Sequence, residues 1–397
     1  MSRNSRSDET RLHFTDVFQQ EEQDEIDFGP KRRRRGCCVR VTSVLFKVFF
    51  LILFIVFIVV PVVYKYSYTV QKFFLFLNFG EYLFLTSWSV YFDFRVTSVL
   101  FKVFFLILFI VFIVVPVVYK YSYTVQKFFL FLNFVKWPPN LNLTKPTEVG
   151  LEGTRNFYIT DGKVKIGAWH ILPASLIAEA NQTILSNENV EAQWDSWLQN
   201  GRPVIVYAHG NSGHRGAGHR VQLYHVLQKT DFHIITFDYR GYGDSSDIPI
   251  DELGLVQDLL TVYKWAQKKT NSSIFIWGHS LGTGQMYTIF PWFNYFFTTP
   301  MFDNGLRFES DKNLENVSTS ILILHAKDDR IVPYKLGLRL YQHIAAKRTN
   351  DNESIQMQSY DADKHYGHKF ICDDPGLPNL VETFFQKSVQ RRNRSSS

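Results

Sequence analysis

Cysteine is nearly absent: the chain of 397 residues has three, Cys37, Cys38 and Cys372. Cys372 stands alone in the C-terminal part, so no disulfide framework holds that part together, whatever its compartment. Cys37 and Cys38 precede an apolar block and read either as S-palmitoylation sites or as unmodified juxtamembrane thiols. Metal-ligand spacing is also scarce. His209, His214 and His219 recur at equal intervals, but no Cys or carboxylate accompanies them and His209 opens a His-Gly-Asn loop. Neither a metal nor any other cofactor is expected. Charge is missing where its absence says most: Val48 to Tyr64 (VFFLILFIVFIVVPVVY) carries none, and the stretch is about long enough to cross hydrocarbon.

What is abundant lies in one place. Hydrophobic residues make up 46% and Phe alone contributes 37, yet mean hydropathy is −0.11. Arg40 to Phe134 holds most of that apolar content, and the remainder reads as a polar-surfaced globular sequence. A soluble cytosolic enzyme, a disordered chain and a transporter spread over the whole length are excluded. Net charge is +6, with its densest run at Lys31-Arg32-Arg33-Arg34-Arg35. Directly before an apolar block such a run anchors the cytoplasmic side of a membrane segment, and nucleic acid is not expected as a partner.

The block contains a perfect repeat: Arg40–Phe79 is identical, residue for residue, to Arg95–Phe134. Structural repeats diverge, so this one reads as a recent exon duplication or, preferably, as an error of coding-sequence assembly. One crossing or three place the C-terminal domain on the lumenal side, and two return it to the cytoplasm. Sequons at Asn142, Asn181, Asn271, Asn316, Asn352 and Asn393 favour the lumenal face. The organisation expected is a cytoplasmic basic tail at 1–39, a membrane region at 40–134, a globular domain at 140–388 and a polar tail at 389–397.

Past Pro138-Pro139 strands and helices alternate. Asn156–Ile159 and Val164–Trp169 flank Asp161-Gly162 as a hairpin. Val204–Tyr207, Ile234–Phe237, Ile274–Trp277, Ile321–Leu324 and Ile355–Gln358 are short apolar runs with the character of buried strands. Helical spacing marks Arg220–Leu227, Leu255–Ala266, Leu336–Ala346 and Leu380–Phe385. The class is α/β with a largely parallel sheet and reactive residues at strand C-terminal ends.

Gly278-His279-Ser280-Leu281-Gly282 follows the Ile274–Trp277 strand immediately. G-x-S-x-G suits a nucleophile elbow, since glycines on either side leave room for a tight strand-to-helix turn that lifts the hydroxyl above the sheet. Such a serine needs an acid and then a histidine further along the chain. Asp329, in D-x-x-V-P context after Ile321–Leu324, is the expected acid, with Asp328 second. His368 is the expected base, with His365 second. The Leu281 and Asn211 N–H groups are the expected oxyanion donors.

HGNSGHRGAGHRVQLYHVL (209–227), FDYRGYGDS (237–245), WGHSLGTG (277–284), LILHAKDDRIVP (322–333) and HYGHKFI (365–371) together resemble the α/β-hydrolase domain-containing protein 12 group, and FLNFVKWPP, LTKP and IGAWHILPAS upstream are similar to it as well. The likeness runs from about residue 110 to 386. It implies an α/β-hydrolase fold behind a single anchor, in the endoplasmic reticulum membrane with the catalytic domain lumenal, the plasma membrane being a second location. It also implies hydrolysis of the acyl ester of lysophosphatidylserine and monoacylglycerols, with Ser280, Asp329 and His368 at the triad positions. Lipid substrate and membrane are the partners implied; no protein partner is.

Two features depart from that group. The membrane block is duplicated, and no Val/Ile/Leu run between Gly284 and Ile321 reads as a buried strand. Pro291 breaks any helix after the elbow within about three turns. A strand is thus expected to be missing between nucleophile and acid, and a 1 Å misplacement there costs on the order of 100-fold in rate. A catalytically impaired membrane scaffold and a serine peptidase are the alternative functions. Pro291–Phe297 reads as a lid or interfacial segment, or as core.

Overall fold

The computed structural model describes residues 102–186, 190–283, 294–348, 351 and 354–395. The basic tail, Cys37, Cys38, the first copy of the repeat, Pro291–Phe293 and the Asn352 sequon lie outside the described residues. The second copy contributes an apolar helix, α1 (Lys102–Tyr121), long and apolar enough to cross a membrane. Ser122 breaks it in extended backbone and caps the next helix, α2 (Tyr123–Leu130), by accepting from the Val125 N–H.

The globular part opens with a hairpin, β1 (Thr154–Asp161) and β2 (Val164–Ile171), in register Asp161 to Val164. Gly162, at φ 57°, takes the left-handed turn that a two-residue connection requires. Helices α3 (Ala174–Ser186) and α4 (Val190–Leu198) follow, then β3 (Val204–Ala208), α5 (Gly218–Gln228), β4 (His233–Phe237), α6 (Glu252–Lys269) and β5 (Ile274–Gly278). Asp251 starts α6 by accepting from the Gly254 N–H at 2.7 Å. The five strands form one sheet in the order β1-β2-β4-β3-β5, antiparallel through the hairpin and parallel from β4 to β5.

Side chains of β3 alternate between two cores, as the period of two demands. Val204, Val206 and Ala208 face Leu255, Val262 and Ala266 of α6, and this core also takes in Tyr119 from α1 and Phe131. Ile205 and Tyr207 face Val221, Tyr224 and Leu227 of α5 on the other side. The layers of the α/β domain and the end of the apolar helix therefore share one core.

Among the described residues, two short α-helices follow β5, α7 (Thr299–Asp303) and α8 (Ser310–Glu315), then β6 (Ile321–Ala326), α9 (Tyr334–Lys347), β7 (Ile355–Tyr360) and α10 (Leu377–Ser395). β6 and β7 pair in parallel as a separate two-stranded sheet. Among the described residues no strand lies between β5 and β6. Ile276, mid-strand in β5, is 50% exposed, whereas every residue of β3 and β4 is buried. Helix α10 joins the two sheets: Leu377, Val381 and Phe385 pack in the core that Phe275 of β5 and Leu324 of β6 border. That helix continues beyond residue 388, where composition placed the start of a polar tail. The aromatic segment after Pro291 divides: the Phe297 ring packs at a tilt against Tyr119, centroids 4.8 Å apart, while Tyr295 is exposed.

Candidate active site

Ser280 sits one residue beyond the end of β5, after His279, with φ 53°, a left-handed conformation rare for a side-chain-bearing residue. Strain of this kind persists only where the surroundings enforce it, and here the neighbouring loop does. A Cβ on Gly210 would lie 3.1 Å from both Ser280 Cβ and the His279 carbonyl oxygen. Only glycine at that position lets the His209–Asn211 loop reach the serine. Leu281 follows in the 3-10 turn Ser280–Thr283.

The acid and the histidine meet across the second sheet. His368 Nδ1 bonds Asp329 Oδ2 at 2.8 Å. Asp329 Oδ1 accepts from the Ile331 and Val332 N–H groups at 2.8 and 2.9 Å. His325 Nε2 lies 3.5 Å from the same carboxylate while donating to the Val332 carbonyl at 2.8 Å. Burial works to raise the Asp329 carboxyl, but the hydrogen bonds from His325, His368 and the Val332 N–H outweigh it. They hold the carboxyl well below the usual carboxylate range. The two second choices fall elsewhere: Asp328 accepts the Gly367 N–H at 3.0 Å, and His365 is exposed. Asp328 thereby holds the loop that carries His368, where Gly367 turns at φ 51°.

Among the described residues the two sheets share no strand pairing, and side chains join the serine to the histidine loop. His279 Nε2 bonds the His368 carbonyl at 3.0 Å, and its Nδ1 bonds the Tyr207 hydroxyl at 3.2 Å. Burial keeps His279 neutral, lowering it to about 4 against the smaller raising effect of that carbonyl. A neutral ring with one donor and one acceptor nitrogen fits both partners.

The sequence matches the profile of the alpha/beta hydrolase fold over residues 203–290. It is 35% identical over 313 residues to lysophosphatidylserine lipase ABHD12 of Danio rerio, covering 68% of this chain and 80% of that one. To the rat protein of the same name it is 34% identical over 319 residues, 70% of this chain and 78% of that one. Human protein ABHD12B is 30% identical over 299 residues, 65% of this chain and 79% of that one. The chain belongs to the ABHD12 family of α/β hydrolases. Est1E of Butyrivibrio proteoclasticus, solved with ferulic acid bound, is similar at TM-score 0.42 and 14% identity, over 59% of this chain and 99% of that one.

As a member of the ABHD12 family the chain is a serine ester hydrolase. Several residues around its site carry no motif. Tyr207 reads in the sequence as an ordinary strand residue, His325 as the residue after a strand, and His279 as the variable position of G-x-S-x-G. Their roles come from contacts between strands, which spacing along one strand does not report. The three equally spaced histidines do not converge. His209 bonds the Gly210 carbonyl at 2.7 Å, His214 bonds the Pro138 carbonyl at 3.0 Å, and the His219 ring lies 6.0 Å from that of His279.

Proposed function

We propose that this chain hydrolyses the acyl ester of lysophosphatidylserine and monoacylglycerols, with Ser280 as nucleophile, His368 as base and Asp329 as its orienting acid. The observation that carries the reading is the 2.8 Å bond between His368 and Asp329, on a loop bonded to the residue before Ser280. With Nδ1 engaged by Asp329, Nε2 is the nitrogen available to the serine. Ser280 Oγ attacks the ester carbonyl as His368 takes its proton, and the Asn211 and Leu281 N–H groups receive the oxyanion. His368 returns the proton to the leaving glycerol oxygen as the C–O bond breaks. Water, deprotonated by the same histidine, then releases the fatty acid from the serine.

The lipid head group is taken from the names of the relatives, and apolar access is supported by the apolar helix packed on the domain. The impaired-scaffold reading draws on the split between the sheets. The His279 bridge favours activity, since it ties nucleophile and base across that split. Membranes expressing the chain are expected to react with a fluorophosphonate, giving a labelled band that an excess of lysophosphatidylserine suppresses and a peptide does not. Absence of labelling with the protein present would overturn the hydrolase reading, and suppression by peptides alone would favour a peptidase.

The reading extends to topology: tail 1–39 cytoplasmic, region 40–134 in the endoplasmic reticulum membrane and domain 140–388 lumenal. Asn142, Asn181, Asn271, Asn316 and Asn393 are all exposed, as acceptors of glycan must be. An endoglycosidase specific for high-mannose glycans is expected to increase the protein's electrophoretic mobility. Unchanged mobility would point to a cytoplasmic domain.

A further inference from the structure

Arg220, in the first turn of α5, is a buried cation, 1% exposed. Its Nη1 donates to the His214 carbonyl at 2.7 Å, and its Nη2 to the carbonyls of Gly210 and Ser212, each at 2.8 Å. No carboxylate is within ion-pair distance of it among the described residues. Burying a guanidinium without a counter-charge is costly. Three carbonyls of a single loop, at alternate positions, are what compensates it here. The loop is bent to supply them: Ser212 and Gly213 are both left-handed, at φ 63° and 66°.

We propose that Arg220 is a positioning residue that aims the oxyanion hole. A peptide unit is planar and trans, so the C=O of one residue and the N–H of the next point in opposite directions. Arg220 and His209 together hold the Gly210 oxygen on the buried side of the loop. The Asn211 N–H of the same peptide therefore points away from the guanidinium, and it has no acceptor among the described residues. Gly210 lies against Ser280, as its virtual Cβ distance of 3.1 Å shows. The Asn211 side chain fixes the other end of the unit, donating to the Leu130 carbonyl at 2.6 Å and accepting from the Leu132 N–H and the Tyr242 hydroxyl, each at 2.9 Å. Were the peptide to rotate, the carbonyl would face the developing oxyanion in place of the donor.

The inference rests on Ser280 being the nucleophile, and the test separates the two. Full-length Arg220→Lys and Arg220→Gln in membranes would be compared with the parent on a lysolipid, with rates expressed per fluorophosphonate-titrated serine. An ammonium keeps the charge but does not span three carbonyls. Both variants are expected to lose kcat by about 10²–10³, the effect of an absent oxyanion donor, with KM within about threefold. Affinity for a trifluoromethyl ketone, whose serine adduct carries the oxyanion, is expected to fall in proportion to kcat/KM. Gly213→Ala leaves Arg220 in place but strains the bend, its Cβ falling 3.2 Å from the Trp137 carbonyl oxygen. It is expected to give the same signature, smaller, and to decide the matter if the arginine variants do not fold. Unchanged turnover per titrated serine, or a loss confined to thermal stability and titratable sites, would overturn the proposal. A parent protein with no titratable serine would instead overturn the nucleophile assignment.

Discussion

Replacing Ser280 with alanine is expected to lower kcat on lysophosphatidylserine by on the order of 10⁶, with binding of the lipid nearly unchanged. That is the magnitude seen when a triad nucleophile or base is removed from a serine protease, where the members act as one unit. His368→Ala is expected to cost about as much, and the double variant no more than either alone. Asp329→Asn is expected to cost about 10⁴, because an amide holds the imidazole in the wrong tautomer while keeping its place. The substitution leaves the neighbouring loop held, because the N–H groups of Ile331 and Val332 still find an acceptor in the amide oxygen. Held below the usual carboxylate range, Asp329 stays ionised at any pH above about 4, so acid loss of activity above that pH arises elsewhere. Single-turnover and steady-state assays on the variants would check the series. Additive effects, or equal losses from Asp328→Asn and His365→Ala, would refute the assignment of Asp329 and His368.

Asp238→Ala is expected to destabilise the domain by about 3 kcal/mol, near the lower end for stranding a buried charge. Arg215 and Asp238 are both fully buried and paired with each other. Asp238 also accepts the Arg215 backbone N–H at 2.6 Å. The lower end applies because Arg215 keeps Asp244 and the Asn156 side chain, the latter at 2.7 Å. At the size of this domain the thermal midpoint would drop by roughly 6–12 °C. Thermal unfolding of the detergent-solubilised protein measures it directly. The double replacement Arg215→Met with Asp238→Leu is expected to recover much of the loss, since apolar pairs of similar volume often match buried ion pairs. A midpoint unchanged in the single variant would show that Asp244 and Asn156 suffice for the guanidinium.

Much of this architecture was legible because the signals are local. Short apolar runs of period two, glycine at the hairpin and the elbow, and aspartate ahead of α6 each act within a few residues. Other features are not local. Helix α4 buries Trp194, Trp197 and Leu198, the two tryptophans against Leu176 and Ala180 of α3, a packing that no local motif announces. The closing helix was read only over its apolar part, Leu380–Phe385, and its basic continuation gave no periodic signal. Arg391, in that continuation, bonds the Ser318 carbonyl at 3.4 Å and the Ser320 hydroxyl at 3.3 Å. Composition between Gly284 and Ile321 gives no buried strand, and among the described residues of that stretch none lies between β5 and β6. What composition did not reveal is the response: β6 and β7 pair apart from the main sheet, with α10 and His279 carrying the connection. Arg220 likewise read as one residue in a helical run, its meaning set by a loop curled back over it.

The last turn of α1 belongs to two environments at once. Pro116 and Tyr119 are buried in the domain while Val117, Val118 and Tyr121 remain exposed, and a few residues on, Leu130 and Leu132 hold the Asn211 side chain. With α1 in a bilayer, no flexible stalk separates lipid from the loop beside Ser280. Such an enzyme meets its substrate as a two-dimensional solute. Its velocity is set by the mole fraction of lysolipid in the surrounding leaflet, and inert lipid dilutes the reaction even when the amount of substrate per volume is held constant.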